Sequence, residues 1–223
     1  MPSNIVPFLF PAAVQSAYKN GLYTDLKIIC GKSEFMVHQI IVCSQATFFH
    51  AALAHDFRES SDNTIDLTAD GISCVSRMMH CLYYGTYAEF GEVFEDANFT
   101  SAHQLHAAMY ALGDKFDFSG LKDRALANFV QPALINSLQT VRGFIESIPI
   151  VYSSTPDSDR RLRDVTVQKI KASPPRFLQE DVKELFQKTL VEVPDLSWDL
   201  HQCWMSGMSV VPETTTASAK RKR

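Results

Sequence analysis

Residues 23–38 run Tyr23-Thr-Asp-Leu-Lys-Ile-Ile-Cys30-Gly-Lys-Ser-Glu-Phe-Met-Val37-His38, and the fold turns on this stretch. Asp25 to Cys30 and Ser33 to Val37 are two β-rich runs. In the second, Phe35 and Val37 alternate with Glu34 and Met36, which gives one apolar face. Gly31-Lys32 between them suits a two-residue turn whose first position takes positive φ. The stretch reads as a β-hairpin.

Upstream, Ala12 to Asn20 reads as a short helix with Gly21 as its left-handed stop. Downstream, Ser44 is a plausible N-cap for a helix to about His55, with Phe48, Phe49, Ala52 and Leu53 along one side. Thr64-Ile-Asp-Leu67 alternates as a third strand. Asp70 opens a helix in which Ile72, Val75, Met78, Met79 and Leu82 keep three- and four-residue spacing up to Gly85. Thr86 to Thr100 carries Glu89, Glu92, Glu95 and Asp96 among Phe90, Phe94 and Phe99, and reads as a surface insertion. Two helices follow, one on Leu105, Ala108, Met109 and Leu112, one on Leu121, Ala125 and Phe129. Beyond Pro132 the period stays helical: Leu134, Leu138, Val141 and Ile145 up to Pro149, then Leu162, Thr166 and Ile170. Val182, Leu185, Phe186 and Leu190 mark another helix, and Leu196, Leu200, Cys203 and Trp204 a last one after Pro194. From Ser206 the apolar pattern vanishes, and a disordered tail is expected.

These residues resemble the BTB/POZ family, and their wording is similar to its small fungal members. The matching pieces are Tyr23-Thr-Asp-Leu26, Phe35-Met-Val-His38, Ser44 with Phe48-Phe49, Phe57-Arg-Glu-Ser60, Ile65-Asp-Leu67, Leu82-Tyr-Tyr-Gly85 and Met109 to Phe116. Tyr152 to Asp164 looks like the helical region that follows the domain in those fungal proteins. The resemblance implies an α+β fold, a short sheet capped by helices, with an all-helical C-terminal extension. It divides the chain into an N-terminal segment (1–21), a BTB/POZ domain (22–130), the extension (131–205) and a tail (206–223).

It also implies a dimerisation and adaptor module with protein partners, a homodimer among them, and no chemistry of its own. In long-form members the segment before the hairpin packs on the partner protomer, which assigns that role to Ile5, Val6, Phe8, Leu9 and Phe10; a disordered N-terminus is the alternative. At the dimer groove the candidates are Asp25, His38 and Gln39. Many members carry Lys or Arg where this chain has Gln39, and the repressor branch uses that base with the Asp at the position of Asp25. Gln39 supplies no charge, so a co-repressor role loses support. Asp25 and His38 have a second possible role: capping the chain at the hairpin and bonding locally where strand turns to helix. In the cullin-binding branch, a hydrophobic residue followed two positions later by Glu inserts into the cullin surface, here Phe57 and Glu59. The alternative is that Phe57 fills its own core.

Composition narrows the classes. Hydrophobic residues make up 46% and charged ones 21% of the 223, and the net charge is −4. The last four residues, Lys220, Arg221, Lys222 and Arg223, are all basic; without them 17 basic face 25 acidic side chains. An acidic body opposes nucleic-acid binding. The basic run is a candidate nuclear import signal. Five scattered cysteines with no Cys-x-x-Cys fit reduced thiols, and Cys43 has no base beside it. His103 and His106 lie three apart but lack the further ligands a metal needs. No phosphate loop or nucleophile elbow occurs. No leader, membrane span, cofactor or small-molecule substrate is expected. The expectation is a non-enzymatic interaction protein, cytoplasmic or nuclear.

Overall fold

The computed structural model describes residues 11–54, 62–87, 99–131 and 137–207. Strands β1 (Leu26–Cys30) and β2 (Ser33–Val37) form the antiparallel hairpin, with Leu26 opposite Val37 and Cys30 opposite Ser33. Gly31 takes φ +62° at the turn, where a side chain would be strained. Strand β3 (Thr64–Asp66) lies parallel to β1 on its other edge, giving the order β2-β1-β3. Central β1 turns Leu26, Ile28 and Cys30 into the core.

Helix α1 (Ala12–Lys19) ends at Asn20, and Gly21 follows at φ +63°. The parallel pairing of β3 needs a crossover, and α2 (Gln39–Gln45) with α3 (Thr47–Ala54) belongs to it. The single helix expected from Ser44 to His55 is in fact these two, broken at buried Ala46 (φ −131°, ψ 114°). Ser44 lies inside α2, where its hydroxyl donates to the Ile41 carbonyl, so it caps nothing. The first amides of α3, Thr47 and Phe48, instead donate to the carbonyls of Asp117 and Phe116. Distant backbone does the work of a hydroxyl cap.

Helix α4 (Ile72–Tyr84) buries Val75, Met78, Met79 and Leu82 and stops at Gly85 in the left-handed region. Its N-cap is Gly71 rather than Asp70, which sits in a preceding 3-10 turn (Thr68–Asp70) and pairs with Lys115. Ile72 is 40% exposed, off the core face. Helices α5 (Ala102–Lys115) and α6 (Ser119–Val130) bury Leu105, Met109, Leu112, Leu121, Ala125 and Phe129. Ala107, not Ala108, is fully buried beside them. Of the expected insertion, 88–98 lies outside the described residues, and Tyr87 is buried at its edge.

The extension comprises α7 (Leu138–Ser154), α8 (Arg161–Ala172), the one-turn α9 (Pro174–Phe177), α10 (Glu180–Glu192) and α11 (Pro194–Gly207). α7 does not end near Pro149 but runs through it. A mid-helix proline costs about 3 kcal/mol; here its ring is exposed while Ile148, Val151 and Tyr152 around it are buried, and that packing offsets the cost.

One core joins both halves. Phe129, Phe144, Phe177 and Phe186 run from α6 through α7 and α9 to α10 with ring centroids 5.8, 5.8 and 5.3 Å apart. At the surface, the α7–α8 loop clamps the halves together. Asp159 accepts the Tyr110 hydroxyl at 2.6 Å and pairs with Lys122 at 2.7 Å, while Arg161 reaches Asp123 at 2.8 Å. Burial alone would raise the Asp159 pKa, but these partners hold it well below the usual carboxylate range. Among the described residues, no helix is long and apolar enough to cross a membrane.

Candidate protein-interaction site

Three of the residues singled out in the sequence, Asp25, His38 and Gln39, meet where the hairpin runs into α2. Asp25 Oδ1 accepts the Gln39 amide at 2.7 Å, so a carboxylate from the start of β1 satisfies the first amide of α2. Its target is the helix, not the hairpin. The Gln39 side chain returns the contact: Nε2 donates to the Asp25 carbonyl at 2.9 Å and to Asn63 Oδ1 at 3.1 Å. A neutral amide thus ties together β1, α2 and the residue before β3.

His38 is held from both ring nitrogens. Nε2 lies 2.8 Å from the Leu22 carbonyl, which can only accept, so Nε2 carries the proton. Nδ1 then accepts from the Tyr83 hydroxyl at 2.8 Å, whose oxygen in turn accepts the His38 amide at 2.9 Å. Burial pushes the Tyr83 phenol well above its ordinary pKa, so it stays a donor. Tyr18 of α1 stacks on the Tyr83 ring at 3.9 Å and 6°. This aromatic pair fastens the N-terminal helix to the junction.

Around that rigid centre the surface is apolar. Leu22 is 51% exposed, Tyr23 89%, Met36 41% and Ile40 76%. Met36 and Ile40 each lie two residues from His38, and Leu22 supplies the carbonyl that His38 bonds. Tyr23 is held at φ +61°, rare for an aromatic residue. Sequence reading set Met36 opposite the apolar face of β2 but did not single out Leu22, Tyr23, Ile40 or Tyr83 as site residues. The Tyr83 signal was its place in Leu82-Tyr-Tyr-Gly85, in the last turn of α4; the exposure of Leu22, Tyr23 and Ile40 has no signature in local spacing.

The other candidates stand apart. His103 and His106 are buried, and among the described residues no three His, Cys, Asp or Glu side chains gather as a metal site would require. Burial raises the pKa of the Cys43 thiol, with Asp25 adding to it, which disfavours the reactive thiolate. All five cysteines are free thiols. The contact candidates Phe57 and Glu59, the packing segment Ile5, Val6, Phe8, Leu9 and Phe10, and the basic run Lys220 to Arg223 lie outside the described residues.

The family model for the BTB/POZ domain matches residues 14–131, from α1 to the end of α6. Kelch-like protein 15 of Gallus gallus is 25% identical over 100 residues, 44% of this chain and 19% of that protein. The human protein of that name is also 25% identical over 100 residues, 44% of this chain and 15% of its own length. TD and POZ domain-containing protein 3 of Mus musculus is 24% identical over 105 residues, 47% and 26% of the two chains. The chain spans about a quarter or less of the length of these curated relatives. With more than half its residues inside the matched region, the chain belongs to the BTB/POZ domain family.

Proposed function

We propose that this chain is a non-enzymatic adaptor that pairs with a second copy of itself through the α+β unit (22–130) and holds other proteins on its helical extension (131–205). The observation that carries the pairing is the exposed set Leu22, Tyr23, Met36 and Ile40 around a junction made rigid by Asp25, His38, Gln39 and Tyr83. Burying such side chains contributes about 1.5–3 kcal/mol each when complete. Two protomers doubling that gain is enough to support a dimer. In the proposed dimer, Ile5, Val6, Phe8, Leu9 and Phe10, which precede α1 in sequence, pack on the partner protomer. The phrase Tyr152 to Asp164 supports placing the chain beside the small fungal members of the family.

Ile40→Asp tests the pairing. The side chain is 76% exposed, so the fold should survive, while an unpaired charge in the interface should convert dimer to monomer in sedimentation velocity. A wild-type chain that sediments as a monomer at micromolar concentration would sink the proposal.

A second reading, a substrate adaptor of a cullin-type ubiquitin ligase, draws on the likeness to Kelch-like proteins and on the Phe57-Arg58-Glu59 triplet. Phe57 is the kind of aromatic anchor that dominates interface energy. Phe57→Ala should abolish pull-down of a cullin scaffold while leaving the sedimentation of the chain unchanged; undiminished capture would end this reading. The basic run Lys220 to Arg223 favours a nuclear as well as a cytoplasmic pool.

A further inference from the structure

We propose that the valley between α8 and α11 docks a cationic segment of a partner protein, Lys or Arg residues interspersed with apolar ones, anchored on Trp198. The proposal rests on the adaptor reading and names the chemistry its extension would recognise. α11 packs Leu196 and Leu200 inward, yet leaves Trp198 63% and Met205 55% exposed. Seven residues apart, these two lie on one side of the helix. His201, between them in sequence, stacks its ring on Trp198 at 5.9 Å and 21°. A tryptophan in that position is costly to leave wet and is the residue type most favoured at contact surfaces.

The ground beside it is grooved and acidic. Two grooves of about 420 and 430 Å³ open here, and Arg160, Asp199 and Gln202 line both. Asp157, Asp164, Asp195 and Asp199 line them against Arg160 and Arg163 alone. Both arginines are already engaged. Arg163 donates to Thr155, the Tyr152 carbonyl and Asp157, and Arg160 holds Asp199 at 2.7 Å and Asp164 at 3.5 Å. Asp157 and Asp164 give one oxygen each to those pairs and stay 90% and 63% exposed, with acceptor capacity to spare.

Pro194–Gly207 contains no Lys or Arg. A second copy laid face to face on α11 would therefore set acid against acid, and charge complementarity selects a basic occupant. An ammonium or guanidinium of that occupant meets the face of Trp198 by cation–π attraction, the carboxylates by charge-assisted hydrogen bonds, and its apolar residues meet Met205.

The test uses the full chain and a fluorescein-labelled peptide with Leu at three- and four-residue spacing and Lys elsewhere, about 14 residues long, which as a helix matches the length of α11. Anisotropy should show micromolar binding that weakens with salt. Trp198→Ala, with an unchanged circular dichroism melt, should weaken it about tenfold or more. Asp157→Asn with Asp195→Asn should weaken it and flatten the salt dependence. Unchanged affinity in Trp198→Ala, or equal binding of a Glu-Leu peptide, overturns the proposal. So does tighter peptide binding when Lys220, Arg221, Lys222 and Arg223 are all changed to Gln, since the chain's own tail would then be the occupant. Sedimentation of the same samples reads pairing separately. A dimer that ignores the peptide sinks the valley alone, and a monomer that binds it sinks only the pairing.

Discussion

The Tyr83 hydroxyl stands 2.8 Å from His38 Nδ1 and 2.9 Å from the His38 amide nitrogen, so one phenol from α4 both donates to the ring and accepts from the backbone where β2 becomes α2. Tyr83 is fully buried, and water cannot easily replace it there. Tyr83→Phe keeps the stack on Tyr18 but strands an amide and a ring nitrogen. The expected loss is about 1–3 kcal/mol, read as a lower urea midpoint at unchanged slope. A midpoint equal to wild type would mean that the junction relaxes to solvent instead.

Asp25 and Gln39 are expected to separate capping from charge. Asp25→Ala removes the acceptor for the first amide of α2 and should cost about 1 kcal/mol, within the range for lost N-caps. Asp25→Asn keeps an acceptor and should recover most of it. Gln39→Lys, which places a base beside Asp25, loses the amide's two acceptors at the Asp25 carbonyl and Asn63. It should gain an ion pair with the exposed Asp25 that offsets little. Urea midpoints of the three variants check the order; an Asn variant as weak as the Ala variant would show that the carboxylate charge, not the cap, matters.

What was legible in the chain was what obeys a local period or a local steric rule. Gly31 and Gly85 announced their positive φ, and Val75, Met78, Met79 and Leu82 announced a buried helical face. The misread places are those where distant groups decide. The break at Ala46 rests on carbonyls of Phe116 and Asp117, some seventy residues on. α7 passes Pro149 because its neighbours are buried by other helices. Gly71 starts α4 because Asp70 is drawn to Lys115. The candidate site was half visible. Asp25, His38 and Gln39 were found through family wording, whereas Tyr83, and the outward turn of Leu22, Tyr23 and Ile40, depend on tertiary placement that no spacing encodes.

Acid should loosen the joint between the α+β unit and the extension. His103 sits between the rings of Phe129 and Phe144, each 5.3 Å away, and its Nε2 has no hydrogen-bond partner among the described residues. Burial, with Lys169 and His106 adding to it, lowers its pKa to about 3; burial and then Arg77 lower that of His106 to about 4. Unfolded histidines titrate near 6.5. Between that value and about 4 the unfolded chain binds protons that the folded chain refuses, so stability is complete above pH 6.5 and falls as pH drops. His103→Leu should reduce the fall measured between pH 7 and pH 4.5 by thermal melts. An identical pH slope in the variant would clear His103 of the effect.

The sign of one further substitution tells whether α7 must touch α5. In an exposed helix interior, Gly→Ala stabilises by roughly 1 kcal/mol. At Gly143 a Cβ would come within 2.4 Å of the Ser101 side chain, whose hydroxyl donates to the Gly143 carbonyl at 3.1 Å. Ser101 is also the N-cap of α5, accepting the Gln104 amide, so it cannot step aside without exposing that helix end. Gly143→Ala is therefore expected to destabilise the chain by about 1–3 kcal/mol, as other overpacked sites do. Limited proteolysis should cut the extension faster than in wild type. Ser101→Gly in the same chain removes the clashing atoms and should return part of the loss, at the cost of a weaker cap. A gain in stability for Gly143→Ala alone would show that the two helices part easily, and that the shared core is not what holds the extension on.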